Sequence, residues 1–426
     1  MRKIKMIQLI KGFRDILPDE AGLWRQVEMM AADIFSGFGF LEMRPPVMEK
    51  ADLFKRSIGE HTDIVEKEMY TFADRGGDVV TLRPEATASV VRAYIQHKLY
   101  NTAGVQKFYT IGPMFRRERP QKGRYRQFHQ VNAEVFGTAS PYMDVQLVFM
   151  LTTFFDALAL KNLTVHINSL GCSECRPLFR ERLCSFLEEN RLNLCNDCKR
   201  RIDRNPLRVL DCKVDTCRQA TKDAPAITDF LCSDCAGHFE QVTGLLTELG
   251  VGFELDRRLV RGLDYYTRTT FEVRTDMLGA QSAVAGGGRY DNLVKMLGGP
   301  DVPAVGFAVG FERLMELVEL AGSVPCGTER PRVFMAALGE KARSIAFKWL
   351  CELNREGVPA EMCMEERGLK SQMKQADKWN ATHVAIVGDA EIESGNIILR
   401  NMNTKQQEEL PLDKMPECLG RAISRL

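Results

Sequence analysis

The first part of the chain alternates stretches with helical spacing of apolar residues and stretches typical of strands. Residues 24–40 are amphipathic and predict a helix that ends at Gly37 or Gly39, where glycine accommodates the left-handed exit. Residues 83–99 open with Pro84 and continue apolar at helical spacing, which predicts a second helix. The segments KFYTIGPMF and QFHQVNAEVFG are rich in aromatic and β-branched residues, and they predict two strands joined by a charged loop.

Two architectures follow one another along the chain. Up to residue 325 the strand-like stretches run in hairpins, and VPAVGFAVGFERLMELVEL predicts a strand that leads into a helix. This pattern favours an antiparallel sheet flanked by helices, an α+β domain. Residues 323–332 have the proline, glycine and charge of a linker. Over 331–426 strands and helices alternate up to a final helix, which predicts a small α/β domain with a parallel or mixed sheet.

Composition narrows the class of protein. Of 426 residues, 45% are hydrophobic and 27% charged, a balance that excludes disordered and fibrous proteins. A membrane-spanning helix needs about 18 consecutive apolar residues, and no stretch of the chain approaches that length. The apolar run that follows the basic N-terminus is too short for a signal peptide. We therefore expect a cytoplasmic protein that does not contact a membrane. The net charge of +1 argues against a protein that coats nucleic acids without specificity.

Residues from about 171 to 240 differ in composition and predict a helical insertion. Nine of the thirteen cysteines lie there. They include three C-x-x-C pairs and two further cysteines between the last two pairs, namely Cys172/Cys175, Cys195/Cys198, Cys232/Cys235, Cys212 and Cys217. In a cytoplasmic chain such pairs indicate structural zinc more than disulfides. Reduced cysteines in a helical insertion are the alternative, and we favour zinc.

The most informative polar pattern lies on the second predicted strand and the loop before it. Between Phe115 and Arg126 the chain has six basic residues against one acid. Period-two alternation puts four side chains on one face of the strand, those of Phe128, Gln130, Asn132 and Glu134. Buried polar groups need partners, so this face is poor for a core and suits the floor of a ligand site, with arginines nearby for phosphates. The alternative for the loop is a solvated hairpin tip.

Two further stretches concentrate polar groups. RPEAT at 83–87 places Glu85 in the first turn of the predicted helix, where by itself it would only compensate the helix dipole. RGLDYYTR at 261–268 combines an arginine, an aspartate and two tyrosines within a short distance. Each stretch by itself is compatible with an ordinary structural role.

Glycine-rich segments and histidines give weaker signals. GGGRYD at 286–291 lacks the Lys-Ser/Thr of a phosphate-binding P-loop, so we expect its glycines to let the backbone approach a ligand closely. GFAVGFERL places Arg313 at a helix start, where the default expectation is a surface arginine. The six histidines show no metal-ligand spacing, and His129 alternates away from the proposed ligand face, which predicts a packed side chain.

The order and spacing of these stretches resemble the histidyl-tRNA synthetase family of class II aminoacyl-tRNA synthetases over essentially the whole chain. FGFLEMRPPVMEK, with Pro46, resembles motif 1, which builds the dimer interface. MFRRERPQKGRYRQFHQVNAEVFG is similar to motif 2, and GFAVGFERL is similar to motif 3. LVRGLDYYTRTTFE and AGGGRYDNL resemble two stretches particular to the histidine enzymes. The resemblance implies a class II catalytic core over 1–325 and an anticodon-binding domain over 331–426.

The resemblance also implies a reaction and its partners. We expect ATP, with Mg²⁺, to activate L-histidine to histidyl-adenylate with release of pyrophosphate. Transfer of histidine to the 3′ end of histidine tRNA by a homodimer would follow. Arg119 and Gln121 of the motif 2 loop would contact the acceptor end of the tRNA.

The implied site residues fall into overlapping sets. Those for histidine are Glu85, Ala86, Thr87, Arg116, Gln130, Glu134, Arg261, Tyr265 and Tyr266. Those for ATP are Arg116, Glu118, Arg124, Phe128 and Arg313. By resemblance, the catalytic residues Arg116 and Arg261 reach the α-phosphate from opposite sides, Phe128 stacks on adenine and Arg313 takes the γ-phosphate.

Two other functions are compatible with this fold. One is the regulatory subunit of ATP phosphoribosyltransferase, and the other is a synthetase-like RNA sensor without adenylation. The complete set of expected ATP and histidine residues and the retained C-terminal α/β domain argue against the regulatory subunit. The intact set of Arg116, Arg261 and Arg313 argues against the RNA sensor. In the last domain four basic residues follow helical spacing, Arg367, Lys370, Lys374 and Lys378. This basic stripe predicts either phosphate contacts with tRNA or a solvated helix face, and the sequence leaves both open.

Overall fold

The computed structural model describes residues 6–59, 62–121, 123–279, 282–322, 332–415 and 419. The chain divides into two compact units, Met1–Pro325 and Cys326–Leu426. Nearly all of the predicted linker at 323–332, and most of the predicted final helix, lie outside the described residues. Among the described residues, no helix is both long and apolar enough to cross a membrane.

An eight-stranded sheet forms the centre of the first unit. The strands of this unit are β1 (Leu41–Glu42), β2 (Met48–Lys50), β3 (Tyr70–Ala73), β4 (Val79–Leu82), β5 (Gln106–Phe115), β6 (Gln127–Phe136), β7 (Thr164–Ser169), β8 (Phe253–Leu255), β9 (Thr267–Arg274), β10 (Ala283–Arg289) and β11 (Ala304–Gly310). The large sheet has the order β1-β5-β6-β11-β10-β9-β7-β8, and β2, β4 and β3 form a small antiparallel sheet.

The predicted antiparallel sheet is confirmed for the centre, where five successive strand pairs are antiparallel. The two edges differ, because β1 pairs with β5 and β8 pairs with β7 in parallel. Long connections that contain helices precede β5 and β8, and such crossovers are what parallel pairing needs. The sheet is therefore mixed.

The described part of this unit also contains helices, most of them beside the sheets and some in the insertion. They are α1 (Pro18–Gly37), α2 (Ala51–Ile58), α3 (Thr87–Gln96), α4 (Pro141–Ala157), α5 (Arg176–Glu189), α6 (Asn196–Arg204), α7 (Asp215–Ala220), α8 (Ser233–Glu248), α9 (Leu293–Met296) and α10 (Phe311–Ala321). The first helix ends at Gly37 as predicted. The prediction that Pro84 opens α3 is wrong: the Glu85 carboxylate accepts hydrogen bonds from the Thr87 and Ala88 amides, so Glu85 precedes the first turn and satisfies its free N–H groups.

The main core lies on one face of the large sheet and leaves the other face for a site. Helices α1, α4, α8 and α10 pack there with the odd-numbered side chains of β6, Val131, Ala133 and Val135, all fully buried. Because side chains alternate along a strand, the even-numbered residues of β6 face the opposite side. The helices of the predicted insertion, α5 to α7, pack around a separate core that includes Phe179, Leu183 and Ile227.

The second unit is a five-stranded mixed sheet with helices. Its elements are β12 (Val333–Ala337), α11 (Glu340–Arg355), β13 (Ala360–Met362), α12 (Leu369–Lys378), β14 (His383–Val387), α13 (Asp389–Ser394), β15 (Asn396–Asn401) and β16 (Gln407–Pro411). The order is β13-β12-β14-β15-β16, with parallel pairs around β12 and antiparallel pairs after β14. Alternating strands and helices were predicted, whereas α13 and the last hairpin were not.

The predicted basic stripe is shorter than its sequence spacing implies. Lys370, Lys374 and Lys378 are exposed on α12. Arg367 precedes the helix and forms a 2.6 Å ion pair with Glu365. The stripe on the helix therefore consists of three lysines.

Candidate active site

A cavity of about 230 Å³ opens on the face of the sheet opposite the main core. Every predicted site residue except one lines it, namely Glu85, Thr87, Arg116, Glu118, Arg124, Phe128, Gln130, Glu134, Arg261, Tyr265, Tyr266 and Arg313. The exception is Ala86, which is fully buried at the start of α3. Residues from four separate stretches of the sequence thus meet in one place.

A buried carboxylate marks one end of the cavity. The Thr87 hydroxyl donates a 2.6 Å hydrogen bond to Oε1 of Glu134, and the Tyr290 hydroxyl donates a short one to Oε2. Burial raises the pKa of Glu134 to about 8, although both hydroxyl donors oppose the shift. On the next strand, a side chain in place of Gly306 would overlap this carboxylate. The site therefore holds an acid poised to exchange a proton near neutral pH.

Tyrosines surround this carboxylate. The rings of Tyr265 and Tyr266 have centroids 4.8 Å apart, and Tyr265 meets Tyr290 edge-on at 5.6 Å. All three side chains are buried, and burial raises the pKa of each phenol. Burial also raises the pKa of Glu85, against the hydrogen bonds from the Ala88 and Thr87 amides. This end can enclose a small ring that presents hydrogen-bonding atoms.

Positive charge concentrates at the other end. The Arg116 guanidinium lies over the Phe128 ring, 5.2 Å from its centroid, and its Nε donates a 2.9 Å bond to the Pro84 carbonyl. Glu118 forms a short ion pair with Arg124 and lies 3.9 Å from Arg116. Since both arginines project from the β5–β6 hairpin, the loop that was predicted as either phosphate-binding or solvated faces the cavity.

Arg313 adds a third cation from the first turn of α10. Its Nη1 donates a 2.6 Å hydrogen bond to the Ala283 carbonyl. Burial lowers the pKa of Arg313, and the charge of Arg124 lowers it further. A polyanion in the cavity would relieve this repulsion, because it would neutralise arginines that now face one another. The default expectation of a surface arginine is wrong.

Arg261, on the segment between β8 and β9, also lines the cavity. Its Nη1 bonds to Oε1 of Glu272 at 2.8 Å, and its guanidinium lies 5.5 Å from the centre of the Tyr266 ring. A side chain in place of Gly286 would overlap this guanidinium. A side chain at Gly287 would strike the adjoining strand β11, and Gly288 has a φ of +151°. The glycine run therefore makes room for Arg261 and for neighbouring strands. Because Gly286 also lines the cavity, close approach of its backbone to a ligand stays a prediction.

Several lining residues were not singled out from the sequence. Glu272, Tyr290 and Glu312 line the cavity, and Glu312 holds the backbone N–H and Nδ1 of His129 at 2.9 and 3.0 Å. His129 also packs edge-on against Trp24, as its alternation predicted. Within the described residues, Gln130 Oε1 and Asn132 Oδ1 are buried without a hydrogen-bond partner. Such atoms are costly unless a ligand satisfies them, and only alternation along β6 signals them.

The arginine of GGGRYD is structural. Arg289 is fully buried and pairs with Asp144 at 2.6 Å and with Asp291 at 3.0 Å. His238 on α8 contacts the same Asp144 at 3.3 Å. This network joins the sheet to α4 and α8 behind the cavity.

Eight insertion cysteines form two separate clusters. Cys172 and Cys175 meet Cys232 and Cys235, while Cys195 and Cys198 meet Cys212 and Cys217. Within each cluster the four sulfur atoms lie within 4.8 Å of one another, with close pairs at 3.7 to 4.0 Å. These separations exceed the roughly 2.05 Å of a disulfide. Each cluster could hold one metal ion.

Three features together define a class II aminoacyl-tRNA synthetase. They are an antiparallel central sheet, a basic hairpin that supplies the floor of the cavity, and an arginine on the helix after the last strand. A family model described as histidyl-tRNA synthetase matches residues 12–314, and a model of an anticodon binding domain matches residues 332–421. The chain belongs to the histidyl-tRNA synthetase family.

Individual relatives agree along nearly the whole chain. The histidine–tRNA ligase of Desulfosudis oleivorans is 71% identical over 414 residues, 97% of this chain and 98% of that protein. That of Desulfatibacillum aliphaticivorans is 58% identical over 420 residues, 99% and 100% of the two chains. The solved structure of apo histidyl-tRNA synthetase from S. aureus has a TM-score of 0.82 at 36% identity and covers 97% of this chain and 99% of that chain. The predicted family and fold class are confirmed.

Proposed function

We propose that this chain is a histidine–tRNA ligase that activates L-histidine with ATP and transfers it to histidine tRNA. The strongest support is the division of one cavity into two chemically different ends. One end has a buried carboxylate among tyrosines, and the other has three arginines and an aromatic ring that one of them covers. An imidazole fits the first end and a nucleoside triphosphate fits the second.

Histidine recognition rests on Glu134. We propose that its carboxyl group exchanges a hydrogen bond with the imidazole while Tyr265 and Tyr266 enclose the ring. The unpartnered Gln130 oxygen, together with Glu85 and Thr87 at the start of α3, suits the α-amino group. A site that satisfies buried polar atoms only with the correct ligand rejects isosteres strongly, because the wrong ligand leaves those atoms unpaired.

Adenylate formation needs positioning and fixed positive charge more than a nucleophile from the protein. The histidine carboxylate attacks the α-phosphorus, the bond to the bridging oxygen breaks and pyrophosphate leaves. We propose that Arg116 and Arg261 stabilise charge on the α-phosphate oxygens from the two sides. Arg313 and Arg124 hold the leaving phosphates, and Phe128 stacks on adenine.

Mg²⁺ accompanies ATP in this proposal. Its preferred ligands are carboxylate and phosphate oxygens, and the cavity offers Glu118 and Glu312 beside the arginines. The ion would neutralise part of the triphosphate charge. Both carboxylates already bind protein groups, Arg124 and His129 respectively, and these contacts hold their oxygens in place.

Transfer requires tRNA and, by resemblance, a second copy of the chain. The acceptor end would meet Arg119 and Gln121 on the β5–β6 loop, and the second unit would bind the anticodon. A homodimer is supported by apolar side chains exposed at motif 1, where Leu41 is 67% and Met48 49% accessible. In the free chain these side chains gain nothing from water exposure, whereas a partner would bury them.

Zinc in the cysteine insertion and a cytoplasmic location belong to the same proposal. A tetrahedral ion with Zn–S bonds of about 2.3 Å separates its sulfur ligands by roughly 3.8 Å, close to the distances in both clusters. The Cys232 and Cys195 amides also donate to cluster sulfur atoms, at 3.2 and 3.1 Å. Such thiolate sites suit a reducing compartment.

Histidine-dependent exchange of labelled pyrophosphate into ATP tests the function. We expect exchange with histidine and none with other amino acids, followed by charging of histidine tRNA. A regulatory subunit of ATP phosphoribosyltransferase, or an RNA sensor without adenylation, would give no exchange. Absence of exchange in a folded chain that binds ATP would refute the proposal.

A further inference from the structure

The first cysteine cluster lies directly beside the segment that provides the two site tyrosines. Arg176 follows Cys175, and its Nη2 donates a short hydrogen bond to the Tyr266 carbonyl. Its Nε donates to the Leu170 carbonyl at 3.3 Å. A guanidinium thus spans the gap between the cysteine segment and the tyrosine backbone.

Two main-chain hydrogen bonds join the same segments. The Leu170 amide donates to the Arg268 carbonyl at 2.6 Å, and the Arg268 amide donates to the Gly171 carbonyl at 2.9 Å. Arg268 has a φ of +44°, a conformation that costs energy in any residue except glycine. A side chain at Gly171 would meet the Cys175 side chain at 2.6 Å. The cysteine segment therefore packs tightly against a strained residue at the start of β9, where the strand pairing is irregular, two positions after Tyr266.

The cluster also ties this segment to the main core. Cys172 and Cys175 precede α5, whereas Cys232 and Cys235 lie at the start of α8. Val242 and Leu246 of α8 belong to the main core. An ion shared by the four thiolates would therefore fix the backbone of Arg176 relative to the sheet.

The second cluster is placed differently. Cys198 and Cys217 belong to the insertion's own core. Among the described residues, none of the four cysteines in this cluster is adjacent to a residue that hydrogen-bonds the backbone of 265–268. An ion there would stabilise the insertion itself.

We infer that a zinc ion bound by Cys172, Cys175, Cys232 and Cys235 positions the histidine-binding tyrosines, with Arg176 as the positioning residue that connects ion and site. The ion takes no part in adenylate chemistry. This inference rests on the proposed function, because it assigns Tyr265 and Tyr266 to the amino acid. It gives the first of the two proposed zinc sites a role in the catalytic unit, and loss of that zinc would raise KM for histidine more than KM for ATP.

The first experiment counts metal and measures both Michaelis constants. Full-length protein purified without chelators should contain two zinc ions per chain by elemental analysis. Cys232→Ser should retain one and raise KM for histidine about 10-fold or more in pyrophosphate exchange, with KM for ATP within about twofold, as expected when a supporting contact is lost. Cys184→Ser, a cysteine of α5 outside both clusters, is the control and should change neither quantity.

A second variant separates positioning from folding. Arg176→Gln keeps all four thiolates, so it should retain two zinc ions while KM for histidine rises as in Cys232→Ser. Arg176→Lys should recover part of the affinity, and the exposed Arg182→Gln on the same helix is the control.

Three results would overturn the inference. They are a chain without zinc, a Cys232→Ser protein that loses one ion with an unchanged KM for histidine, and an Arg176→Gln protein with native constants. A wild-type chain that contains two zinc ions but shows no histidine-dependent exchange would instead refute the proposed function. The metal count distinguishes the two failures.

Discussion

The Thr87 hydroxyl, at the first residue of α3, donates a 2.6 Å hydrogen bond to the Glu134 carboxylate on β6. The two residues are 47 positions apart in the sequence. The bond joins the start of a helix to the floor of the cavity, and the Tyr290 hydroxyl holds the second carboxylate oxygen. Glu134 is thus oriented before any ligand enters, so little reorganisation is needed when the amino acid binds.

Glu134→Gln should reduce kcat/KM for histidine by roughly 10²-fold or more, because a charge-capable partner is replaced by an amide of the same shape. KM for ATP should change little, since Arg116, Arg124 and Arg313, which are proposed to bind ATP, are not among the contacts of Glu134. Steady-state pyrophosphate exchange measures both. The exposed Glu240→Gln on α8 is the matched control. Unchanged kcat/KM for histidine would contradict the role of Glu134.

The same substitution should change how stability depends on pH. The pKa of Glu134 is raised from 4.5 to about 8 in the folded chain, so the native state binds a proton that the unfolded state has lost. Stability therefore falls as pH rises between these values, and the full penalty is present above pH 8. The difference in the free energy of unfolding between Glu134→Gln and wild type should therefore shift by a few kcal/mol in favour of the variant between pH 5 and pH 9. Urea denaturation at pH 5 and pH 9 measures the free energy of unfolding of both proteins. The same difference between wild type and Glu134→Gln at the two pH values would contradict the prediction.

Arg261→Ala should slow adenylate formation by about 10²–10³-fold, the usual effect of losing one preorganised donor to a transition-state oxygen. Histidine binding should remain nearly intact. Single-turnover formation of the adenylate gives the rate, and calorimetry gives the affinity. Arg257→Ala removes an exposed arginine of the same segment and should have no effect. Normal single-turnover chemistry in Arg261→Ala would exclude its role.

Asp144→Ala should destabilise the first unit by about 3–5 kcal/mol, because it leaves the fully buried Arg289 without its closest carboxylate partner. The exposed Lys295–Asp301 pair has a similar distance of 2.8 Å, and Asp301→Ala should cost about 1 kcal/mol or less. Chemical denaturation of the two variants measures both effects. Equal losses would mean that burial does not determine the contribution of the Arg289 network.

A truncation that ends near Glu329 should retain histidine-dependent exchange, because all proposed adenylation residues precede it. It should lose most charging of histidine tRNA. In the full chain, replacing Lys370 and Lys374 by glutamine should weaken tRNA binding and reduce its dependence on salt, since each lost phosphate contact removes one counterion-release contribution. Dimeric truncated protein that charges tRNA with unaltered KM would contradict this division of work.

Local patterns were sufficient to predict features that depend on neighbours in the sequence. Alternation on β6 identified the residues that face the cavity, because the strand has a core on one side only. Pairings between distant residues were beyond such patterns. The Arg289–Asp144 network and the sorting of cysteines into two clusters depend on how separate segments meet. The start of α3 was misplaced because the capping carboxylate belongs to Glu85, which looked like a helical residue.

Gly286 and Gly306 lie on neighbouring strands, and each occupies a position where a methyl group would overlap a side chain of the proposed site, that of Arg261 or Glu134. In evolutionary terms these positions are closed to gradual change, because even alanine would displace the residue beneath. A change of specificity toward another amino acid could not begin with a larger side chain at Gly286 or Gly306. It would first have to alter Glu134 or Arg261, and activity would fall before any new specificity arose.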